Sequence, residues 1–262
     1  MIDDIVRTSE AAEQHVGIDA PRACVGARIL VVIPAWNEEG SIGRVIDDLP
    51  KHLIAGVVVA DNNSTDYTAD VARKFGATVV PAARQGYGSA CLAALAHIES
   101  LPSDQQPDIV VFIDADYSDH ADELPSLVDP ICAGRADFVI GSRMLKPQPA
   151  GALLPQARFG NKLACFLMRW LFGVRYTDLG PFRAIRWDAL RGLGMVDPNF
   201  GWTVEMQIKA ARAGLRVQEV PVSYRPRIGY SKITGTVSGT IRAGYKIIWT
   251  ICRYWLPARR AR

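Results

Sequence analysis

The sequence predicts an α/β fold, a mostly parallel central sheet with helices on both faces, followed by an amphipathic C-terminal helix. Three observations carry this. Short apolar, β-branched runs alternate with helical patterns through the first half of the chain. The most apolar of them, Ile109–Ile113, is unbroken by polar residues, as in a strand covered on both faces. At 262 residues, with 49% hydrophobic and 22% charged residues, the chain is long enough for one large α/β unit with appendages.

In order, residues 28–34 read as a strand and residues 40–49 as a helix. Residues 57–61 form the next strand, and Ser64, Thr65 and Asp66 mark the start of a helix running to Phe75. Residues 77–80 are a short strand, 89–99 a helix, 109–113 a strand, 122–132 a helix and 137–140 a further strand. The second half is less regular: helices at 158–172 and 203–213, and extended segments at 180–185 and 215–222. Residues 236–256 carry Val237, Ile241, Tyr245, Ile248, Cys252 and Trp255 at steps of three and four. Arg242, Lys246 and Arg253 fall within about 40° of one another on another face of that helix. An apolar face with a basic flank is the pattern of a helix lying in a lipid interface, although packing on the protein or on a second copy is the competing expectation.

The net charge of +3 hides an asymmetry. After Glu219 there is no Asp or Glu, while nine Lys or Arg occur; the part before carries 21 basic and 27 acidic residues. The C-terminal end therefore expects an anionic partner. Five cysteines are scattered without paired spacing, which predicts neither a zinc site nor a disulfide framework and makes a reducing cytoplasm the default. The polar, acidic segment 1–27 reads as a flexible extension without signal-peptide character, and no run of eighteen apolar residues is present to span a membrane.

In a parallel sheet, ligands bind outside the carboxyl ends of the strands. Four strands here end in polar groups: Pro34 to Glu38, Asp61 to Asn63, Asp114 to Asp116, and Gly141 to Arg143. All four should line one crevice. Along an extended chain Asp114 and Asp116 point to one side, an oxygen site suited to a hard divalent cation completed by substrate phosphates.

Eight segments in order, VVIPAWNEEGSI, VVADNNSTDYT, RQGYGSACLAAL, VVFIDADYSDH, FVIGSRM, YTDLGPFRAI, FGWTVEMQIKA and RIGYSKITG, make the chain resemble the family 2 glycosyltransferases. Within them it is most similar to the polyprenyl-phosphate (dolichyl-phosphate) mannose or glucose synthases, from about Ile29 to Tyr254. The resemblance implies a GT-A fold with a catalytic domain at 28–225, then a basic Ser-Lys loop and the membrane-associating helix at 226–262. It implies an enzyme that moves mannose or glucose, with inversion, from GDP-mannose or UDP-glucose to a polyprenyl phosphate. Mg2+ or Mn2+ is expected on Asp114 and Asp116. Donor contacts are expected from Pro34, Trp36, Glu38, Asp61, Asn63, Gly86, Ala115 and Arg143, with Asp61 reading a base N–H that uracil and guanine both offer. Acceptor or phosphate contacts are expected from Asp178, Arg227, Ser231 and Lys232, with Arg143 and Lys232 as fixed positive charge. Ser118 is a minor metal candidate.

The alternative within the family is a hydroxyl acceptor, with Glu205 as general base. With a phosphate acceptor no base is needed, because a phosphate monoester is largely dianionic at neutral pH, and Glu205 is left to orient a sugar hydroxyl. A nucleotidyltransferase is disfavoured because no Gly-rich lysine loop comes after the first strand. A nucleic-acid-binding module is disfavoured because the basic tail interleaves Trp and Ile at helical spacing. The partners expected are the nucleotide-sugar, the lipid phosphate and the cytoplasmic face of a membrane, with a homodimer possible and no nucleic acid.

Overall fold

A computed structural model describes residue 24, residues 26–229 and residues 237–260 of the chain. The expected extension at 1–27 falls almost entirely outside the described residues. The elements run β1 (Ile29–Ala35), α1 (Ile42–Asp48), β2 (Gly56–Asp61), α2 (Thr68–Lys74), β3 (Thr78–Pro81), α3 (Tyr87–Ser100), β4 (Ile109–Phe112) and α4 (Leu124–Cys132). The chain continues through β5 (Phe138–Ser142), α5 (Pro155–Phe172), β6 (Arg183–Arg186), α6 (Trp187–Leu193), α7 (Trp202–Arg212), β7 (Val217–Pro221) and α8 (Val237–Arg260). The seven strands make one sheet in the order β3-β2-β1-β4-β6-β5-β7. All pairs are parallel except the two made by β6, which runs antiparallel between β4 and β5. This is the expected α/β architecture, mostly parallel with helices on both faces.

Strand β1 shows why its sequence is apolar throughout. Ile29, Val31 and Ile33 enter the core beneath α1, α2 and α4, while Leu30 and Val32 enter the one beneath α3, α6 and α7. Burying each such side chain contributes about 1.5–3 kcal/mol. A third cluster lies off the sheet, where Ala164, Cys165 and Met168 of α5 meet Val204 and Ile208 of α7 and Ile251 of α8.

Two expectations are corrected. Cys24 and Cys132 form a disulfide, with Cα atoms 5.1 Å apart across a sequence separation of 108. Sequence spacing could not reveal the pair, because the fold alone brings the chain before β1 to the end of α4. The argument for a reducing compartment from unpaired cysteines therefore falls away. Second, Asp114 and Asp116 do not sit on a continuing strand: β4 ends at Phe112 and the chain turns at Ala115 and Asp116, with Tyr117 at φ +64°. The even alternation assumed for them stops there. Helix α8 packs on α5 and α7 through Ile247, Ile251 and Tyr254, while Ile241, Tyr245 and Ile248, the apolar face for which lipid was expected and protein packing was the competing expectation, are exposed. Among the described residues no helix is long and apolar enough to cross a membrane.

Asp137 pins the far half of the sheet. Its carboxylate accepts from Arg216 ahead of β7 at 2.7 and 2.9 Å and from Arg186 at the end of β6 at 3.2 Å. The Arg216 side-chain hydrogen bond is the main cause that holds its pKa down to about 2, with the Arg216 backbone N–H and the charges of Arg216 and Arg186 adding to it. A depressed folded-state pKa contributes stability that is present above the ordinary carboxylate value of about 4 and lost as pH falls towards 2. Because Arg216 is half exposed, solvent screening keeps that contribution small. Asp137→Asn should therefore lower Tm at pH 7, and the deficit should shrink as denaturation is tracked down through pH 4 towards 2. A deficit constant with pH would remove the charge explanation.

Candidate active site

Two cavities meet at the carboxyl ends of β1 and β4. The first, about 460 Å3, is walled by Pro34, Ala35, Trp36 and Glu38 after β1, Asn62 after β2, the turn at Gln85 and Gly86 before α3, and Asp114 to Asp116 after β4. The second, about 440 Å3, runs between the 151–154 segment, the start of α5 and α8, with Leu153, Leu154, Ala157, Leu179, Ala243 and Ile247 among its walls. Tyr87, Asp114, Phe200 and Arg227 line both. These four residues form the junction.

The junction concentrates charge. Asp116 is buried; one oxygen accepts from the backbone N–H and the hydroxyl of Ser118, and the other pairs with Arg227 at 2.7 Å. Ser118, expected as a minor metal ligand, thus spends its hydroxyl on Asp116. Asp114 has one oxygen with no hydrogen-bond partner, and the Tyr87 hydroxyl bonds its carboxylate. Burial, and after it the charge of Asp116, hold Asp114 well above the usual carboxylate range. Asp119, buried with both oxygens unpartnered, is raised likewise by burial and then by Asp114. A buried carboxylate oxygen without a donor is costly unless a cation faces it. The unpartnered Asp114 oxygen therefore fits a hard divalent ion, with the Asp116 carboxylate, held by Ser118 and Arg227, as the second anion beside it. Among the described residues no group of three or more His, Cys, Asp or Glu could hold one; hard divalent ions in such sites are commonly completed by phosphate and water.

Arg143 enters the second cavity from the end of β5. Its guanidinium forks onto Asp178 at 2.7 and 2.8 Å, its own backbone N–H reaches the same carboxylate at 2.9 Å, and its Cζ lies 5.0 Å from the Tyr224 ring centre. Burial works against the charge, but Asp178 more than offsets it and raises the Arg143 pKa. Asp178, expected to touch the acceptor, is fully buried and lines neither cavity; it aims Arg143. The Asp178 turn is fixed from below by Arg183, whose buried guanidinium donates to the carbonyls of Leu179, Gly180 and Thr203.

Glu205 is the other correction. Fully buried in the first turn of α7, it accepts from the backbone N–H groups of Val196 and Asp197, from the Tyr254 hydroxyl at 2.6 Å, and pairs with Lys209 at 2.8 Å. It lines neither cavity and its oxygens are occupied, so its surroundings fit a tie between α7, α8 and the 195–200 loop. Asp61 and Asn63 also stay off the cavity walls: Asp61 accepts from Ser64 N–H, and Asn63 donates to the Ala83 carbonyl. Their neighbour Asn62 reaches the cavity instead, donating to the Arg84 carbonyl and accepting from Gly86 N–H at 2.7 Å. Ser231 and Lys232 lie outside the described residues.

Sequence reasoning missed Tyr87, Asn199, Phe200 and Arg242 of the first cavity. Asn199 arrives on a loop ahead of α7, and Phe200 opens the segment FGWTVEMQIKA without a contact having been expected of it. A signal for it did exist in Gly86 and Gly88. A Cβ on Gly86 would come within 2.2 Å of the Pro198 carbonyl, and one on Gly88 within 1.9 Å of the Asp197 carbonyl. Gly86 also sits at φ +141°, where L side chains are strained. Two glycines bracketing Tyr87 therefore announce a close crossing of backbones.

Residues 30–194 match the profile of glycosyl transferase family 2. A glycosyltransferase of Mycobacterium tuberculosis is 41% identical over 220 residues, covering 83% of this chain and 95% of that one. The undecaprenyl-phosphate mannosyltransferase of Micrococcus luteus is 30% identical over 250 residues, covering 88% and 96%. Among solved structures, glucosyl-3-phosphoglycerate synthase of M. tuberculosis, in complex with Mn2+, uridine diphosphate and glucosyl-3-phosphoglycerate, superposes with a TM-score of 0.71. That match is at 26% identity and covers 90% of this chain and 82% of the synthase.

Proposed function

The chain belongs to glycosyl transferase family 2, and from that premise we propose that it transfers a hexose from a nucleotide-sugar to the phosphate of a polyprenyl phosphate, with inversion. The observation that carries this reading is the second cavity. Its outer walls are apolar, from Leu153 and Leu154 to Ile247, and its inner end holds Arg143 and Arg227 beside Asp114. A ligand with an anionic head and a hydrocarbon tail matches both ends. A small polar acceptor such as the phosphoglyceric acid of the solved synthase would leave the apolar walls without a partner. The mannosyltransferase of M. luteus, named for undecaprenyl phosphate, agrees with the lipid.

In this reading the nucleotide-sugar occupies the first cavity, its nucleoside between Pro34 and Trp36, with Glu38 and Ala115 as further wall. Asp61 and Asn63 act on it only indirectly, through the turn that carries Asn62. Asp114 and Asp116 would hold Mg2+ or Mn2+, in keeping with the Mn2+ and uridine diphosphate of the solved synthase; the ion supplies neutralising charge to the diphosphate leaving group. Arg227 stands between donor and acceptor and serves both phosphates; Arg143 faces the acceptor, with Ser231 and Lys232 assigned to the same work. An acceptor phosphate oxygen attacks the anomeric carbon as the bond from that carbon to the nucleoside diphosphate breaks. The dianionic nucleophile gives up no proton, so no base is required, consistent with Glu205 being occupied elsewhere. The exposed face of α8, with Ile241, Tyr245 and Ile248, is assigned to the membrane that holds the acceptor.

The test incubates the protein and Mn2+ with labelled GDP-mannose or UDP-glucose and a polyprenyl phosphate. Label should enter the organic phase and be released by mild acid, as a glycosyl phosphate requires. Label transferred to phosphoglyceric acid or to a hydroxyl acceptor, and not to the lipid, would overturn the reading.

A further inference from the structure

We propose that the outward face of α5 is a second docking surface for an anionic lipid bilayer, beside that of α8; the proposal rests on the lipid-phosphate reading above. Helix α5 buries Ala164, Cys165 and Met168 but leaves Phe159, Phe166 and Trp170 exposed at 69%, 63% and 75%. At 100° per residue these three rings fall within about 40° of one another, a single ridge along the helix. Arg158, Lys162 and Arg169, all exposed, flank that ridge on one side. Apolar rings with a basic border are what an interfacial helix presents to lipid head groups.

Charge selects the occupant. Two long stretches of the chain contain no acidic residue, residues 138–177 and residues 220–262. They lie far apart in sequence, yet they contain α5 and α8, and the fold packs these two helices against each other over α7. Neither helix therefore carries a carboxylate, and the two acids that reach α8, Asp197 on Lys246 and Glu205 on Tyr254, are buried. A second copy of the chain would bring like charge against like, whereas an anionic bilayer complements it. The second cavity supplies continuity. Leu154 and Ala157, where α5 begins, and Ala243 and Ile247 of α8 are among its apolar walls, so a hydrocarbon tail leaving it passes between the two helices.

The test uses the full chain, vesicles of phosphatidylcholine alone or mixed with phosphatidylglycerol, and two variants. Each basic residue near an anionic surface is worth roughly 1 kcal/mol, so Lys162→Ala/Arg169→Ala should weaken sedimentation with the anionic vesicles about thirtyfold. Phe159→Ser/Phe166→Ser/Trp170→Ser should weaken it with both vesicle types. Brominated lipid should quench wild-type tryptophan fluorescence more than that of a Trp170→Leu variant. Both multiple variants should keep wild-type turnover of a short-chain, water-soluble polyprenyl phosphate, which separates docking from chemistry. If the wild type fails on that soluble acceptor yet binds vesicles through α5, the functional reading is lost and the docking surface stands. Unchanged vesicle binding by both variants overturns the proposal. So does a loss of dimer by the triple variant with vesicle binding intact, since the face is then an interface between copies.

Discussion

Asp114→Asn should abolish metal-supported transfer while leaving the protein at least as stable as the wild type. Asp114 lines both cavities, is half-buried, and has one buried carboxylate oxygen with no donor. A group so placed is a poor contributor to folding, because burial penalises its charge. The amide keeps the volume and removes the anion, so Tm without metal should stay level or rise. Activity answers to different forces. A metal stabilises a leaving diphosphate by several kcal/mol, and loss of one anionic ligand should lower kcat/KM by about a thousandfold or more. Calorimetry supplies the second readout: Mn2+ should tighten nucleoside diphosphate binding to the wild type and not to the variant. Asp116→Asn should differ in one respect. It also breaks the pair with Arg227, because an amide whose oxygen still accepts from Ser118 turns its NH2 group towards the guanidinium, so it should lose stability as well as turnover. Full activity of either variant in the presence of chelator would exclude the metal role.

Much of this site is legible in the sequence because strands covered on both faces announce themselves, and the residues just past each parallel strand are forced to one edge of the sheet. The segments from Pro34 to Glu38, from Asp114 to Asp116 and at Arg143 were readable for that reason. Strand β6 was not, since nothing in the run from Gly180 to Ile185 says that it inserts antiparallel between β4 and β5. Roles proved harder than places. Asp178 stands in a motif that reads as ligand contact, but its oxygens go to Arg143; only the three-dimensional path shows the fork closing. Glu205 stands at a helix start, where an acid is favoured with or without a function, and only packing shows α8 bringing Tyr254 onto it. The face of α8 was assigned from periodicity, which finds an apolar stripe and cannot say whether protein or solvent covers it. The disulfide joins residues that no local pattern relates.

The pair Arg143 and Asp178 separates aiming from acting, and a set of variants should resolve the two. Arg143 reaches the second cavity with its side chain only 12% exposed, and Asp178 is wholly buried. Arg143→Ala removes one fixed positive charge from the acceptor phosphate, and loss of one such group should lower kcat/KM by about a hundredfold. Arg143→Lys should recover little of it. A lysine carries the charge but cannot fork onto Asp178 while leaving a planar edge for the phosphate. Asp178→Ala touches no ligand, yet it should cost nearly as much activity, because the guanidinium loses both bonds that orient it. It should also destabilise the protein by about 3–5 kcal/mol, since a buried charge is left without its partner. The double variant Arg143→Ala/Asp178→Ala discriminates. If Asp178 works through Arg143, the activity losses do not add, and the double variant should turn over no more slowly than Arg143→Ala alone. Its stability should recover relative to Asp178→Ala, because the unpaired cation is gone. Additive losses in kcat/KM would mean that Asp178 meets the acceptor directly, and the assignment of Arg143 as its target would have to be abandoned.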